Sequence, residues 1–378
     1  MVGLNMKKLL CTLIGLSLLV SLAACGGEKA DESSAPAAES SDPVAESSAP
    51  GGEESSEPEV STPWEDIAPA ESFTLDRSVY KTGEIQGAPE EVTSYPGIFE
   101  LRREGLYKYS CETDGGTMEI TFAQTAWGTW NLGAWRLVGE EGTTVFVAGS
   151  TDLEYVYRAA KKPGDWVWSG GNHGNEKLID LTFYDGATGK KLDVEAGSVS
   201  ADSFTVVERT KLRWGDENDS YCNVTRIYTF CGPQVRLNVD YDYTQDCCFY
   251  LSYTGMFPVD KRYGLWCDMY DAQGSKLATI ETEKVGKADY SGDVHSGNAA
   301  VRAVIYGYEQ TDYSFDIRVT TFADSVNDLN NDYKTSFWDM NQTQNKLYFS
   351  KYFLDKPTNV SAGTQLHTEC IWLFCSGK

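Results

Sequence analysis

Histidine is scarce in this chain, at three in 378 residues, and positive charge is in deficit, with 32 Lys and Arg against 56 Asp and Glu and a net charge of −24. That balance excludes a nucleic-acid partner and a polybasic membrane patch. No CxxC pair occurs, so no structural zinc site is expected. Walker, GxSxG, HExxH and post-strand GxGxxG signatures are also missing, which removes the common phosphate, nucleophile-elbow, zinc-protease and dinucleotide chemistries. Asp216-Glu217-Asn218-Asp219 lacks the spacing and terminal glutamate of an EF-hand loop. No cofactor is expected. Past the N-terminal segment no long helical stripe appears, no Pro/Ser-rich break divides the chain, and no repeat has a fixed period.

What is present begins with an address. Lys7 and Lys8 precede an almost wholly apolar run, Leu9 to Leu22, too short to span a bilayer and of the length of a signal-peptide core. The run ends in Leu22-Ala23-Ala24-Cys25-Gly26, which resembles the lipobox of bacterial lipoproteins. The resemblance implies a signal peptide over residues 1–24, cleavage before Cys25, lipidation of its thiol, and a place on the cell membrane facing the exterior. Residues 25–63 are Ser, Ala, Glu, Pro and Gly with ten acids against Lys29. Such a composition cannot bury enough apolar surface to offset chain entropy, so a disordered acidic tether is expected. Residues 64–378, still near −17 in net charge, should form one large domain, expected as a monomer.

The periodicity of that domain is two. Arg236 to Tyr243 alternates strictly, with Leu237, Val239, Tyr241 and Tyr243 on one face. Similar runs are Thr143–Val147, Leu178–Tyr184, Phe204–Leu212, Val301–Tyr308, Phe315–Thr321 and Thr368–Phe374, separated by turn residues such as Asp185-Gly186 and Gly232-Pro233. The reading is an all-β protein: a large antiparallel β-sandwich or jelly roll, preceded by a signal helix and a disordered linker.

Eight cysteines fall in the domain. Cys222 and Cys231 flank one strand, roughly 30 Å apart at about 3.3 Å per residue, far beyond the roughly 7 Å a disulfide spans. Cys370 and Cys375 share another strand, and adjacent Cys247 and Cys248 point to opposite faces. Mainly free thiols are expected, with longer-range bridges left open.

Candidate chemistry centres on W-V-W-S-G-G-N-H-G-N-E-K-L, Trp166 to Leu178. Its glycines permit unusual backbone and close ligand approach. His173 could act as general base or acid, Asn172 could polarise a carboxylate or carbonyl, and Glu176 could orient the histidine; His173 with Glu176 is also a weak two-ligand metal pair. Arg209, Lys211 and Arg213 alternate on one strand face. Pairing Trp214 with Tyr221 sets Arg226 opposite Arg209; a next hairpin then brings Tyr228 against Asn238 and Arg226 against Asp240. The result would be a cationic strip of Arg209, Lys211, Arg213, Arg226, Tyr228, Arg236, Asn238 and Asp240, able to take an anionic sugar chain, or simply a solvated face with Arg–Asp pairs. Trp166 and Trp168 are candidate stacking platforms. Tyr253 ends an apolar strand where a phenol could be exposed and its proton mobilised by nearby cations. His367 and Glu369 share a strand face as a structural pair, and His295 belongs to a loop.

The W-S-G-G-N-H-G-N-E stretch, the hairpin L-T-F-Y-D-G-A-T-G-K-K-L, the basic strands and N-K-L-Y-F at Asn345–Phe349 resemble secreted jelly-roll polysaccharide lyases. That resemblance implies Asn172 and an arginine as neutralisers of a uronate carboxylate, with His173 or Tyr253 moving the α-proton. The expectation is therefore a surface-anchored carbohydrate-active lipoprotein whose partner is a polysaccharide or cell-surface glycan. It would act by β-elimination on acidic glycans, or failing that by glycoside hydrolysis. The alternatives are a non-catalytic glycan-binding lipoprotein and a structural envelope protein.

Overall fold

A computed structural model describes residues 62–377 apart from 150–151, 216–217, 289–299, 322–333 and 353–356. The signal segment, Cys25, the tether up to residue 61, and His295 lie outside the described residues. Contacts gather the rest of the chain into one unit, Ser61–Lys378.

The alternating sequences form strands, and among the described residues no α-helix interrupts them. Strands β1 to β5 (Gly97–Arg103, Leu106–Thr113, Gly116–Gln124, Trp130–Gly139, Gly142–Val147) run as an up-and-down meander. Then come β6 (Tyr155–Ala160), β7 (Val167–Ser169), β8 (Glu176–Asp185), β9 (Lys191–Leu192) and β10 (Val199–Ala201). Three long strands follow, β11 (Phe204–Arg213), β12 (Ser220–Cys231) and β13 (Gln234–Tyr243), and then β14 (Cys247–Asp260). The remainder are β15 (Trp266–Tyr270), β16 (Lys276–Glu281), β17 (Arg302–Tyr306), β18 (Tyr313–Val319), β19 (Lys334–Asp339), β20 (Gln344–Tyr352), β21 (Thr358–Val360) and β22 (Gln365–Ser376).

Three antiparallel sheets result: the meander with β10 added at β1, a ten-stranded sheet β16-β15-β17-β18-β22-β13-β12-β11-β8-β9, and a sheet β19-β20-β14-β6-β7 with β21 paired to β14. Ring contacts show how they pack. Phe99 of the meander meets Phe183, Phe204 and Phe230 of the ten-stranded sheet. Tyr155 and Tyr157 of β6 meet Tyr241 of the same sheet, and Phe257 of β14 meets Phe315. The architecture is a β-sandwich in which one wide layer backs two smaller sheets. Leu237, Val239, Tyr241 and Tyr243 all face that core. The eight cysteines of the domain are free thiols, seven of them buried.

The register differs from the expected one by a single residue on each side of β12. A bulge at Leu212/Arg213 makes Arg209 pair with Thr225, and the tight Gly232-Pro233 turn makes Tyr228 pair with Leu237 and Arg226 with Val239. Because side chains alternate, one residue of slip moves Arg226 and Tyr228 to the inner face.

The segment before β1 crosses the outer face of the ten-stranded sheet as a strap. Its backbone pairs Phe73 with Gly189, Gly83 with Thr320 and Tyr95 with Asp202. Arg77 bridges Glu369 and Glu91, and Glu91 in turn pairs with Arg236.

Candidate functional site

Each sheet has an outer face, and the three are finished differently. On the meander, Lys108 pairs with Glu100 and Glu119, an ordinary charged exterior. On the ten-stranded sheet the strap covers the face. The β14 sheet instead presents aromatic and cationic side chains. Register puts Arg158 beside Trp168, Tyr253 beside Val156 and Ser350, and Trp338 beside Lys346, with Tyr348 next along β20. Tyr253 and Tyr348 stand 4.7 Å apart between ring centres and Trp338 lies 6.1 Å from Tyr348. Arg158 sits over Trp168 at 5.7 Å, and Trp166 meets Tyr250 edge-on.

The glycine-rich stretch folds onto this sheet. Gly171–His173 make one 3-10 turn in contact with β6. Gly170, Gly171 and Gly174 all have positive φ, at 93°, 52° and 73°. A Cβ on Gly171 would fall 2.0 Å from an Asp152 oxygen, and one on Gly174 would fall 2.4 Å from the Trp127 ring. The glycines are therefore required for backbone conformation and for closeness to Asp152 and Trp127. Asp152, just ahead of β6, accepts the backbone N–H of Asn172. The turn leaves Asn172 and His173 exposed, and the imidazole stacks on Trp168 at 4.9 Å and 20°.

Burial pushes His173 below the usual histidine range; Lys346 acts in the same sense and Asp152 opposes it. Burial likewise lowers Lys346, with Asp152 and Glu154 opposing. Tyr348 is raised by burial, then by Tyr253 and Asp152. These mutual effects place His173, Asp152, Lys346, Tyr348 and Tyr253 in one electrostatic neighbourhood. Asp152, Lys346, Tyr348 and Trp338 are functional candidates that sequence reasoning missed. The N-K-L-Y-F alternation held part of the signal, since Leu347 and Phe349 facing the core turn Lys346 and Tyr348 outward.

Other expected site residues lie elsewhere. Glu176 does not orient His173 and cannot share a metal with it: its carboxylate is 1% exposed and accepts from Tyr155 Oη (2.5 Å) and Thr210 Oγ1 (2.6 Å). Arg226 and Tyr228 are not on an exposed strip. The Arg226 guanidinium, 0% exposed, pairs with Glu208 at 2.9 Å and Glu176 at 3.3 Å inside the sandwich. Glu154 completes this cluster through Tyr228 Oη (3.3 Å) and the N–H of Leu132 (2.6 Å). Burial, only partly offset by Arg226, raises Glu154 to about 7 and Glu208 to about 8. Glu154 and Glu208, crowded about one guanidinium in a low dielectric, thus hold their protons more tightly than free carboxylates do.

Arg209 and Lys211 do face outward, but the strap takes them. Arg209 binds Asp180 and the carbonyls of Trp64 and Ile67, and Lys211 pairs with Glu65 at 2.7 Å. Asn238 is buried and donates to Glu369 at 2.7 Å. Arg213 is half-buried, its N–H bonded to the Asn175 carbonyl at the end of the glycine turn (2.8 Å). His367 pairs with Asp240 at 2.7 Å rather than with Glu369. The cationic strip is thus the bed of an intramolecular strap, while Asn172, His173, Trp166, Trp168 and Tyr253 gather on or beside the β14 sheet.

No family model and no curated protein matches this chain. Among solved structures it is similar to the galactosidase domain of the α-galactosidase–sucrose kinase AgaSK, with a TM-score of 0.44 and 10% identity over 74% of this chain and 42% of that one. It is also similar to the α-galactosidase from Lactobacillus brevis (TM-score 0.42, 9% identity, 72% and 40%). The GH36 α-galactosidase AgaB from Geobacillus stearothermophilus is comparable (0.42, 8%, 76% and 41%). The chain spans about two fifths of the length of each.

Proposed function

We propose that this chain is an exported, lipid-anchored protein that recognises a glycan on the outer face of its β14 sheet. The observation that carries the reading is the finish of that face. Trp168, Tyr253, Tyr348 and Trp338 occupy an outer surface of the kind that the meander fills with ion pairs and the ten-stranded sheet covers with a strap. Half-buried aromatic rings offer flat apolar faces for sugar rings, and the nearby imidazole, ammonium and carboxylate supply polar contacts. The lipobox-like segment and acidic tether support a surface location for such a domain.

Binding of the purified chain to a glycan array tests this. Trp168→Ala and Trp338→Ala should each weaken the strongest hits by tenfold or more while leaving the far-ultraviolet circular dichroism unchanged. Equal binding by both variants removes the reading.

A second, catalytic reading is favoured by His173, whose basicity is lowered by burial and by the charge of Lys346. In β-elimination His173 would take the proton α to a uronate carboxylate. The C–O bond at the β position would break as the double bond forms, and Tyr253 would protonate the departing oxygen. Ultraviolet absorbance from unsaturated products, abolished by His173→Ala, is the expected result on a uronate polysaccharide. A flat trace across a panel of such substrates leaves a binding protein.

A further inference from the structure

Among the described residues two lysines are nearly inaccessible, and their charges are met differently. Lys261, 0% exposed, donates to Asp339 at 2.5 Å and to the Lys287 carbonyl at 2.6 Å. Lys346 is 6% exposed, yet among the described residues its ammonium has neither a hydrogen-bond acceptor nor a carboxylate within ion-pair distance. Its ring contact is with Tyr348, whose centre lies 5.2 Å from Nζ. The two acids that act on it are committed elsewhere. Asp152 holds the N–H of Asn172, and Glu154 holds the N–H of Leu132 and the Tyr228 hydroxyl; both act on Lys346 only through space. A buried lysine without a partner is rare, because the desolvated charge is not offset. Here it lies beside Trp338 and Tyr348, on the face where the glycan is placed, close enough to His173 to depress its basicity.

We infer that Lys346 is the seat of a carboxylate on the bound sugar, so the glycans this site selects are uronate-containing chains. The inference rests on the glycan reading above and deepens it. The uronate carboxylate supplies the charge partner that the protein omits, in a desolvated position where one charge-assisted hydrogen bond discriminates strongly. It also accounts for the cationic selectivity missing from the ten-stranded sheet, whose outward arginines and lysine the strap already engages.

The test leaves the protein unchanged and alters the ligand. The wild-type chain is titrated with uronate oligosaccharides and with the same oligosaccharides after carboxyl reduction, which turns each acid into a primary alcohol. A sulfated neutral glycan forms a third arm. Affinity for the acid form should exceed that for the reduced form by tenfold or more. Lys346→Met should reduce that ratio towards one, and Lys346→Arg should retain most of it.

Equal affinity for acid and reduced forms overturns the assignment of Lys346 while leaving the glycan site standing. Binding that follows sulfate instead of carboxylate overturns the uronate class. Binding of neither form, across uronates of differing linkage, removes the glycan reading and this inference together.

Discussion

Lys346 and Lys261 frame a residue-scale comparison. Removing the Lys261 ammonium takes its charge partner from the buried Asp339 carboxylate, so Lys261→Met should destabilise the fold by about 3–5 kcal/mol. Lys346→Met leaves no ion-paired partner behind and removes a desolvated charge, so it should cost less than about 1 kcal/mol or stabilise. Urea denaturation of both variants checks this; a larger loss for Lys346→Met would mean that its charge serves the fold. Gly171→Ala should also destabilise, by about 2 kcal/mol or more, from strain at φ +52° and overlap with Asp152. At this scale the sequence was partly legible. His173, Asn172, Trp168 and Tyr253 stood out because glycines and turn residues frame them. Lys346 and Asp152 did not, because what distinguishes them is burial beside chain distant in sequence, and no local pattern encodes that.

Among elements, alternation located the strands well. The run Arg236–Tyr243 lies within β13, Phe204–Leu212 within β11, and Thr368–Phe374 within β22. Register was not legible, since a bulge at Leu212/Arg213 and a two-residue turn at Gly232-Pro233 each shift pairing by one position. That shift sent Arg226 inward and dissolved the expected strip. The strap was hidden for another reason: residues 62–95 show no period of two, and their contacts with the sheet mix backbone pairing, Arg77, Glu91 and the scattered side chains of Phe73, Leu75 and Tyr80. Arg77 ties it to a Glu369 carboxylate that is wholly buried. Arg77→Ala should destabilise the protein by about 2 kcal/mol, the partial exposure of Arg77 moderating the loss. The same change should speed proteolysis within residues 62–95 relative to wild type. Unaltered stability and cleavage would contradict a strap held by this contact.

For the whole molecule, the interior charge cluster sets a pH dependence. Glu154 and Glu208 have folded pKa values near 7 and 8, above their unfolded values. The folded state therefore binds protons that the unfolded chain has already released. The stability linked to these groups is complete below about pH 4.5 and is lost as pH rises through 7 and 8, at roughly 1 kcal/mol per pH unit per proton. The melting temperature should fall between pH 5.5 and 8.5, and Glu208→Gln should flatten that fall. A melting temperature that rises over this range would contradict the cluster as described.

The central claim is the location of a glycan site on the outer face of the β14 sheet, and hydrogen exchange measured with and without the tightest-binding oligosaccharide tests it most directly. Slowed exchange is predicted in peptides covering residues 152–158, 168–176, 250–254 and 336–349, with the strap and the meander unchanged. Protection confined to the strap or to the meander, with the β14 sheet unaffected, would contradict it.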